Sequence, residues 1–401
     1  MTVPTNLPTP EVARSVDLSK IRQWLAEHRD DILAEIRDYV SIETPSNSKP
    51  DLDRGLAWLT RRLTDALGEP ATVERVTSAT HGDTLVADFP GTGDRRLLVL
   101  CHYDTVWNAG TLDDWPFTVE DGIARGPGVF DMKTGLVQAL WAVRALDAAG
   151  LDRPPLRFVL NGDEELGSPT SRSTVEAAAA GIAAALVMEP GVDGALKTAR
   201  KGVGMFRLDV RGVEAHAGLD PDKGVSAVDE LARQILRLRE LHDLARGTSV
   251  NVGTIGGGSR NNVIAGHAWA TVDVRVTDPE EAARIDTALA AVTPTRDRLQ
   301  VAVTGGWNRP PMPRTAGISA MFDLAHVLAD GLGDRLPESA AGGGSDANFL
   351  AALDVPLLDG VGAVGAGAHA RDEHIDVDAT VARTALVAGL VHVFALGGKA
   401  A

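Results

Sequence analysis

The sequence predicts an α/β domain interrupted by a smaller α+β insert. Three observations carry that reading. At 401 residues the chain is too long for one ordinary core, so two domains are expected. Up to about residue 200, short apolar runs alternate with stretches of helical periodicity, the pattern of an α/β sheet. Beyond that point the order becomes β-α-β-β-α-β, the ferredoxin-like split unit, before the first pattern resumes.

Residues 1–17 are rich in Pro and Thr and read as a loose arm. The stretch IRQWLAEHRDDILAEIRDYV puts Ile21, Leu25, Ile32, Ile36 and Val40 near helical spacing, and a second helix follows across 51–67. TLVADF and RLLVLC are strand-like. From Met132 to about Ala149 a helix is expected, with Leu136, Leu140, Val143 and Leu146 on one side. LRFVL, a helix near 171–180 and AALVM continue the alternation. In the insert, GMFRLDVRG is a strand and VSAVDELARQILRLRELHDLA a long helix. SVNVGTI and HAWATVDVRV are strands. PEEAARIDTALAAV is a helix with Pro279 and two glutamates in its first turn, and LQVAVTG is the last strand. Helices at 316–332 and 378–395 and the apolar VPLLDGVGAV return to the first domain. The expected division is therefore 1–199 and 308–401 around an insert at 200–307.

With 44% apolar and 23% charged residues the composition is that of an ordinary globular protein. Net charge is 39 − 55 = −16, which argues against non-specific nucleic-acid binding. The N-terminus has neither a basic nor an apolar leader region, so no signal peptide is expected, and no unbroken apolar run of membrane-spanning length is found. The one cysteine, Cys101, lies in an apolar strand-like run. It excludes an intramolecular disulfide, fits the cytoplasm and reads as a small core residue rather than a nucleophile.

Acid and imidazole residues recur beside apolar runs or Gly-rich turns: His102, Asp131, Glu164-Glu165, Glu189 and His369. His102, Glu164-Glu165 and Glu189 follow strand-like runs, and ligands in open α/β sheets collect at the carboxyl ends of strands. Oxygen and nitrogen donors without cysteine suit a catalytic Zn²⁺ site. A pair of ions needs one bridging carboxylate with terminal ligands on either side, and lowers the pKa of a shared water. A further carboxylate must then take the proton to the leaving amine. The chain holds enough parts: two histidines, Asp131, Glu165 and Glu189, with Glu164 left as base. Their spacing has no local regularity, and acids at strand ends are often caps or loop residues. Spacing alone leaves both readings open.

Longer segments add to this. CHYDTV, PFTVEDGIARGPGVFDMKTG, LNGDEELGSPTSR, MEPG, EAHAG, NNVIAGHAWATVDVR, GGGSDANF and GAGAHARDE resemble the M20 family of metallopeptidases, most closely its glutamate carboxypeptidase, carboxypeptidase G2-like branch, across about residues 20–397. The resemblance implies a zinc-exopeptidase-like catalytic domain with a ferredoxin-like dimerisation or lid insert. It implies two Zn²⁺ (Co²⁺ or Mn²⁺ in their place), one held by His102, Asp131 and Glu189, the other by Asp131, Glu165 and His369. Glu164 becomes the general base, and Asp104 the acid that orients His102. A cis peptide is implied at Asp131-Met132. His216 is expected to reach a partner subunit's site and stabilise an oxyanion there. Asn262 and Arg275 are expected to bind the substrate's carboxylate or backbone. The implied activity releases a C-terminal amino acid from a small peptide or N-acyl amino acid, with a homodimer formed through the insert.

Three features compete with these readings. Gly360, Gly362 and Gly365 spell G-x-G-x-x-G, but no amphipathic helix follows, so they read as close backbone passage toward the metals. His374 is a rival to His369. Lys197, Arg200 and Lys201 are candidates for the lysine that glutamate-releasing members carry after the Glu-Pro pair. An N-acyl amino acid deacylase or deacetylase, or a dipeptidase, shares the machinery, and a metal-free binding homologue is the non-enzymatic alternative.

Overall fold

The computed structural model describes residues 7–396, which fall into two compact units. The first holds the chain up to Ala199 with Arg314–Ala340 and the stretch from Ser345 onward. The second holds Arg200–Pro313 with Ala341–Gly344. The return to the first unit therefore falls six residues later than the expected 307, because the last strand of the insert runs on to Arg309. Of the arm expected at 1–17, residues 1–6 lie outside the described residues, and Pro10–Arg14 is a short helix with Ala13 buried. Residues 397–401 also lie outside them.

The first unit is organised by an eight-stranded sheet. Its centre is parallel: Leu97–His102 runs between Leu156–Asn161 and Ala184–Val187, and Leu357–Asp359 follows beyond Ala184–Val187. Every residue of Leu97–His102 is buried. Such strands read as continuous apolar runs because helices cover both faces, and each Leu or Val so buried contributes about 1.5–3 kcal/mol. Thr84–Phe89 and Thr72–Val76 extend one side antiparallel. The helix at the site is Thr134–Ala149 rather than one starting at Met132, since Val129–Lys133 forms an irregular turn. The apolar stretch expected around 21–40 is two helices, Ser19–Glu27 and Arg29–Val40. They part at His28, whose imidazole takes up the Trp24 carbonyl at 2.8 Å. Among the described residues one helix, Val377–Leu396, is long and apolar enough to cross a membrane, but 78% of its apolar window is buried against the rest of the chain.

A second, antiparallel sheet of very short strands joins Gly365–Ala366, His374–Asp376, Ile123–Arg125 and Thr118–Glu120 in that order. It pairs the hairpin around 366–374 with the segment leading into 128–131. Strands of two or three residues carry no readable alternation, which is why the sequence does not show them.

The insert is a four-stranded antiparallel sheet in the order Ser249–Gly257, His267–Val276, Gly202–Arg211, Gln300–Arg309. In chain order that is 2-3-1-4, with helices Ala227–Arg239 and Pro279–Ala290 between strands. This is the expected ferredoxin-like arrangement. Leu208, Val210, Val272, Val274, Leu231 and Ile285 form its core. Asp278 caps the second helix, accepting the N–H groups of Glu280 and Glu281 at 3.0 Å each. The first helix is shorter than expected. It ends at Arg239, and Asp243 then draws the N–H groups of Ala245 and Arg246 into a local turn.

Candidate metal centre

The parallel strands deliver the site. His102 is the last residue of its strand, Glu164 and Glu165 open a 3-10 turn three residues past Asn161, and Glu189 lies two residues past Val187. All three leave the sheet at its carboxyl edge, so strand geometry alone converges them. Asp131 comes from the irregular turn before the Thr134 helix, where Asp131-Met132 is a cis peptide. His369 comes from the tip of the 366–374 hairpin, with φ of +63°, a left-handed conformation rarely adopted by a residue other than Gly.

Two groups of three donors result: His102, Asp131 and Glu189, and Asp131, Glu165 and His369. Asp131 offers one oxygen to each. His102 Nε2 lies 3.1 Å from Asp131 Oδ1 and 3.6 Å from Glu189 Oε1. His369 Nε2 lies 3.4 Å from Asp131 Oδ2 and 3.0 Å from Glu165 Oε2. Zinc bonds of about 2.0–2.1 Å in a tetrahedron separate ligand atoms by about 3.3 Å, so all four spacings fit an ion in each group. Glu165 Oε1 is buried with no hydrogen-bond partner among the described residues, as expected of an oxygen reserved for a cation. His374 stands apart from both groups, its Nδ1 donating to the Asp372 carbonyl at 2.7 Å.

The electrostatics agree. Burial opposes a charge on His102, yet Asp104 and Asp131 prevail and hold its pKa well above the usual imidazole value. Asp131 and then Glu165 raise His369 to about 11. Burial would raise Asp131, but hydrogen bonds from His102 and His369 pull it far below the carboxylate range. Burial pushes Glu165 up to about 7. The Glu165–His369 pair is thus unequal: the imidazole favours charge while the carboxyl resists it. Glu165 rises because it is nearly enclosed and also faces the like charge of Asp131. A cluster that draws its imidazoles toward protonation is short of positive charge, and a divalent cation supplies it.

Around the donors sits a supporting layer. His102 Nδ1 donates to the main-chain carbonyl of Asp104 at 3.1 Å, with the Asp104 carboxylate farther off at 3.5 Å. His102 Nδ1 thus faces both the Asp104 main-chain carbonyl and, at longer range, its carboxylate. That carboxylate, fully buried, also accepts the N–H groups of Glu164 and Glu165 at 3.2 Å each and the Ser46 hydroxyl at 2.8 Å. Asp346, which the sequence leaves without a role, accepts from Asn161 Nδ2 at 2.6 Å and Ser168 Oγ at 2.5 Å, and so braces the loop that carries the two glutamates. Of the three cations after the Glu-Pro pair, Lys197 reaches the cluster, with Nζ 3.4 Å from Glu189 Oε2. Arg200 and Lys201 donate to the carbonyls of Gly343 and Gly247. The Gly-rich stretch does pass close: the Gly362 N–H bonds the Glu189 carbonyl at 2.9 Å, and a Cβ there would lie 2.2 Å from the Met188 carbonyl oxygen.

In the insert, His216 is exposed and bridges to Val263, and the Ala217 N–H donates to the Asn262 carbonyl at 2.9 Å. His216 and Asn262 thus share one end of the insert. Arg275 stands at the far end of the His267–Val276 strand, its guanidinium engaged by both oxygens of Asp273 at 2.8 Å. The insert does not present Arg275 together with the other two.

An α/β sheet that gathers a shared carboxylate, two imidazoles and flanking carboxylates at its parallel edge is the framework of a metal-dependent hydrolase. The chain belongs to peptidase family M20/M25/M40, whose profile matches residues 98–393, and it is an enzyme of the peptidase and amidohydrolase kind. It is 29% identical over 392 residues to carboxypeptidase G2 of Pseudomonas sp. (strain RS-16), covering 92% of this chain and 93% of that one. It is 30% identical over 321 residues to the acetylornithine deacetylase of Myxococcus xanthus, covering 77% and 82%. The fold is also that of an aminopeptidase PepT from Bacillus cereus, with a TM-score of 0.73 at 22% identity over 92% of this chain and 99% of that one.

Proposed function

We propose that this enzyme hydrolyses an amide or peptide bond and releases a C-terminal amino acid, in the manner of a glutamate carboxypeptidase. The observation that carries the reading is Asp131 offering one oxygen to each donor group, with Glu164 on the same turn as Glu165. Two Zn²⁺ ions, or Co²⁺ or Mn²⁺ in their place, would be held by His102, Asp131 and Glu189 and by Asp131, Glu165 and His369. When bound, such a pair polarises the scissile carbonyl and acidifies the attacking water. Glu164 takes the proton from that water and returns it to the leaving amine, so the acid and amine products balance the bond broken. Asp104 holds Glu164 in place through its backbone N–H.

The likeness to an acetylornithine deacetylase favours a second reading, removal of an acyl group from an N-acyl amino acid by the same machinery. A hydrolysis screen of peptidyl and N-acyl amino acids, loaded in turn with Zn²⁺, Co²⁺ and Mn²⁺, separates the two. A folded, metal-loaded protein that cleaves neither class overturns both.

We further propose a cytoplasmic homodimer joined through the insert. Its outer strand Ser249–Gly257 is a sheet edge with Ile255 exposed, suited to a two-fold pairing. The single, buried Cys101 suits a reducing compartment. His216 Nδ1 accepts the N–H groups of Gly218 and Leu219 at 3.2 and 3.1 Å. Its proton therefore sits on Nε2, ready to donate to an oxyanion. Asn262 and Arg275 would bind the substrate's carboxylate or backbone. His216→Ala is expected to lower kcat without changing metal content, and mixing it with Glu164→Gln to restore part of the activity. A mixture that exchanges chains yet stays as inactive as its parents rejects His216 acting in trans.

A further inference from the structure

Glu373 is fully buried, four residues past His369, and has no part in the donor groups. Its carboxylate accepts four N–H groups. Oε1 takes those of Phe130 and Asp131 at 2.9 and 3.0 Å, and Oε2 takes that of Gly128 at 3.0 Å and the Trp107 indole at 2.8 Å. These donors lie on two different segments. Gly128, Phe130 and Asp131 belong to the turn that presents the shared ligand. Trp107 follows His102 by five residues. Glu373 itself belongs to the hairpin of His369, and two successive turns connect them: Ala370 N–H to the Gly367 carbonyl at 2.9 Å and Glu373 N–H to the Ala370 carbonyl at 3.0 Å. The hairpin is tight enough that a Cβ on Gly367 would lie 2.8 Å from Glu373 Cα. Outside it, the Arg371 guanidinium lies over the Trp107 and Trp115 rings, 5.5 and 5.6 Å from their centroids.

We propose that Glu373 is the positioning residue of the metal centre, fixing the Asp131 turn, the His369 hairpin and the Trp107 segment in one register. The proposal rests on the reading of the cluster as a metal site. Its chemistry calls for a carboxylate, because only an ionised acid offers two acceptor oxygens and no donor. An amide keeps the shape but turns an NH₂ toward two N–H groups, whichever way it is flipped. The Asp131 turn or the Trp107 segment must then move.

The test compares wild type, Glu373→Gln and Trp107→Phe. Metal dissociation constants are measured by chelator competition, folding by circular dichroism of the metal-free proteins, and kcat and KM at saturating metal. Loss of a group that orients metal ligands typically weakens metal binding ~10–100-fold. That loss is expected for Glu373→Gln, and a smaller one for Trp107→Phe, which removes one of the four donors from a half-buried position. Excess metal should restore much of the kcat of Trp107→Phe. A folded Glu373→Gln that binds metal as wild type does overturns the proposal. Should Glu373→Gln fail to fold, Trp107→Phe decides, and an unchanged dissociation constant overturns it. A wild type that takes up no metal is a different result, because it removes the metal-site reading first and this proposal with it.

Discussion

The two halves of the donor cluster are built from different material. His102 and Glu189 stand at the ends of neighbouring parallel strands, and the His102 side chain is only 2% exposed. Across Asp131, His369 sits on a hairpin tip with a left-handed backbone and a side chain 51% exposed, facing a glutamate on a 3-10 turn. The first half is fixed by the sheet and closed to solvent. The second is held by loops and open on one side. A catalytic site needs one open position where a structural site needs none, and the cluster divides those demands between its halves. The closed half secures the shared carboxylate, and the open half leaves one side of the cluster exposed.

The largest expected effect tests whether the cluster works through Glu164, whose charge is felt by His102. Glu164→Gln keeps size and hydrogen-bonding shape while removing the base. Its kcat should fall ~10²–10⁴-fold with two metal equivalents retained by elemental analysis. Near-normal turnover would mean that another group takes the proton. The next effect separates the halves directly. His369→Ala should keep about one equivalent of metal, because the closed half is untouched, and the metal-free protein should melt close to wild type. His102→Ala should lose the closed-half ion and lower the melting temperature, since it opens a buried cavity beside Asp131 and Glu189. Identical metal contents and identical melting in the two variants would erase the distinction between halves.

The same contrast explains what the sequence could show. His102 ends, and Glu165 and Glu189 follow, apolar strands of four to six residues, and an acid or imidazole at the end of such a run is visible in the chain. The ferredoxin-like order of the insert is visible for the same reason, because its strands run nine or ten residues and alternation is clear in His267–Val276 and over much of Gly202–Arg211. The open half is different. His369 reaches Asp131 through strands of two and three residues that leave no periodic trace, and only likeness of local words to a family picked it over His374. Glu373 and the carboxylate bonds of Asp104 were hidden for another reason. Most of their partners are backbone N–H groups, and backbone groups have no sequence. Asp346 carries no role that its sequence neighbours can show, since its hydrogen bonds to Asn161 and Ser168 span 185 and 178 residues.

The smallest expected effect probes what joins the halves. Asp104 touches both: its main-chain carbonyl takes the His102 imidazole, and its carboxylate takes the N–H groups of Glu164 and Glu165. Asp104→Asn leaves the carbonyl in place and changes only the side chain. The new NH₂ must face either the Glu164 N–H or the Glu165 N–H with the Ser46 hydroxyl, so the 3-10 turn shifts while His102 keeps its hydrogen bond. Metal affinity should fall by ~10–100-fold, the usual scale for an outer partner of a ligand. The loss should fall on the open-half ion, whose ligand Glu165 rides on that turn, and the closed-half ion should titrate nearly as in wild type. Chelator competition that resolves the two equivalents checks this. Equal weakening of both would show that Asp104 acts through His102 after all, and that the two halves respond as one unit.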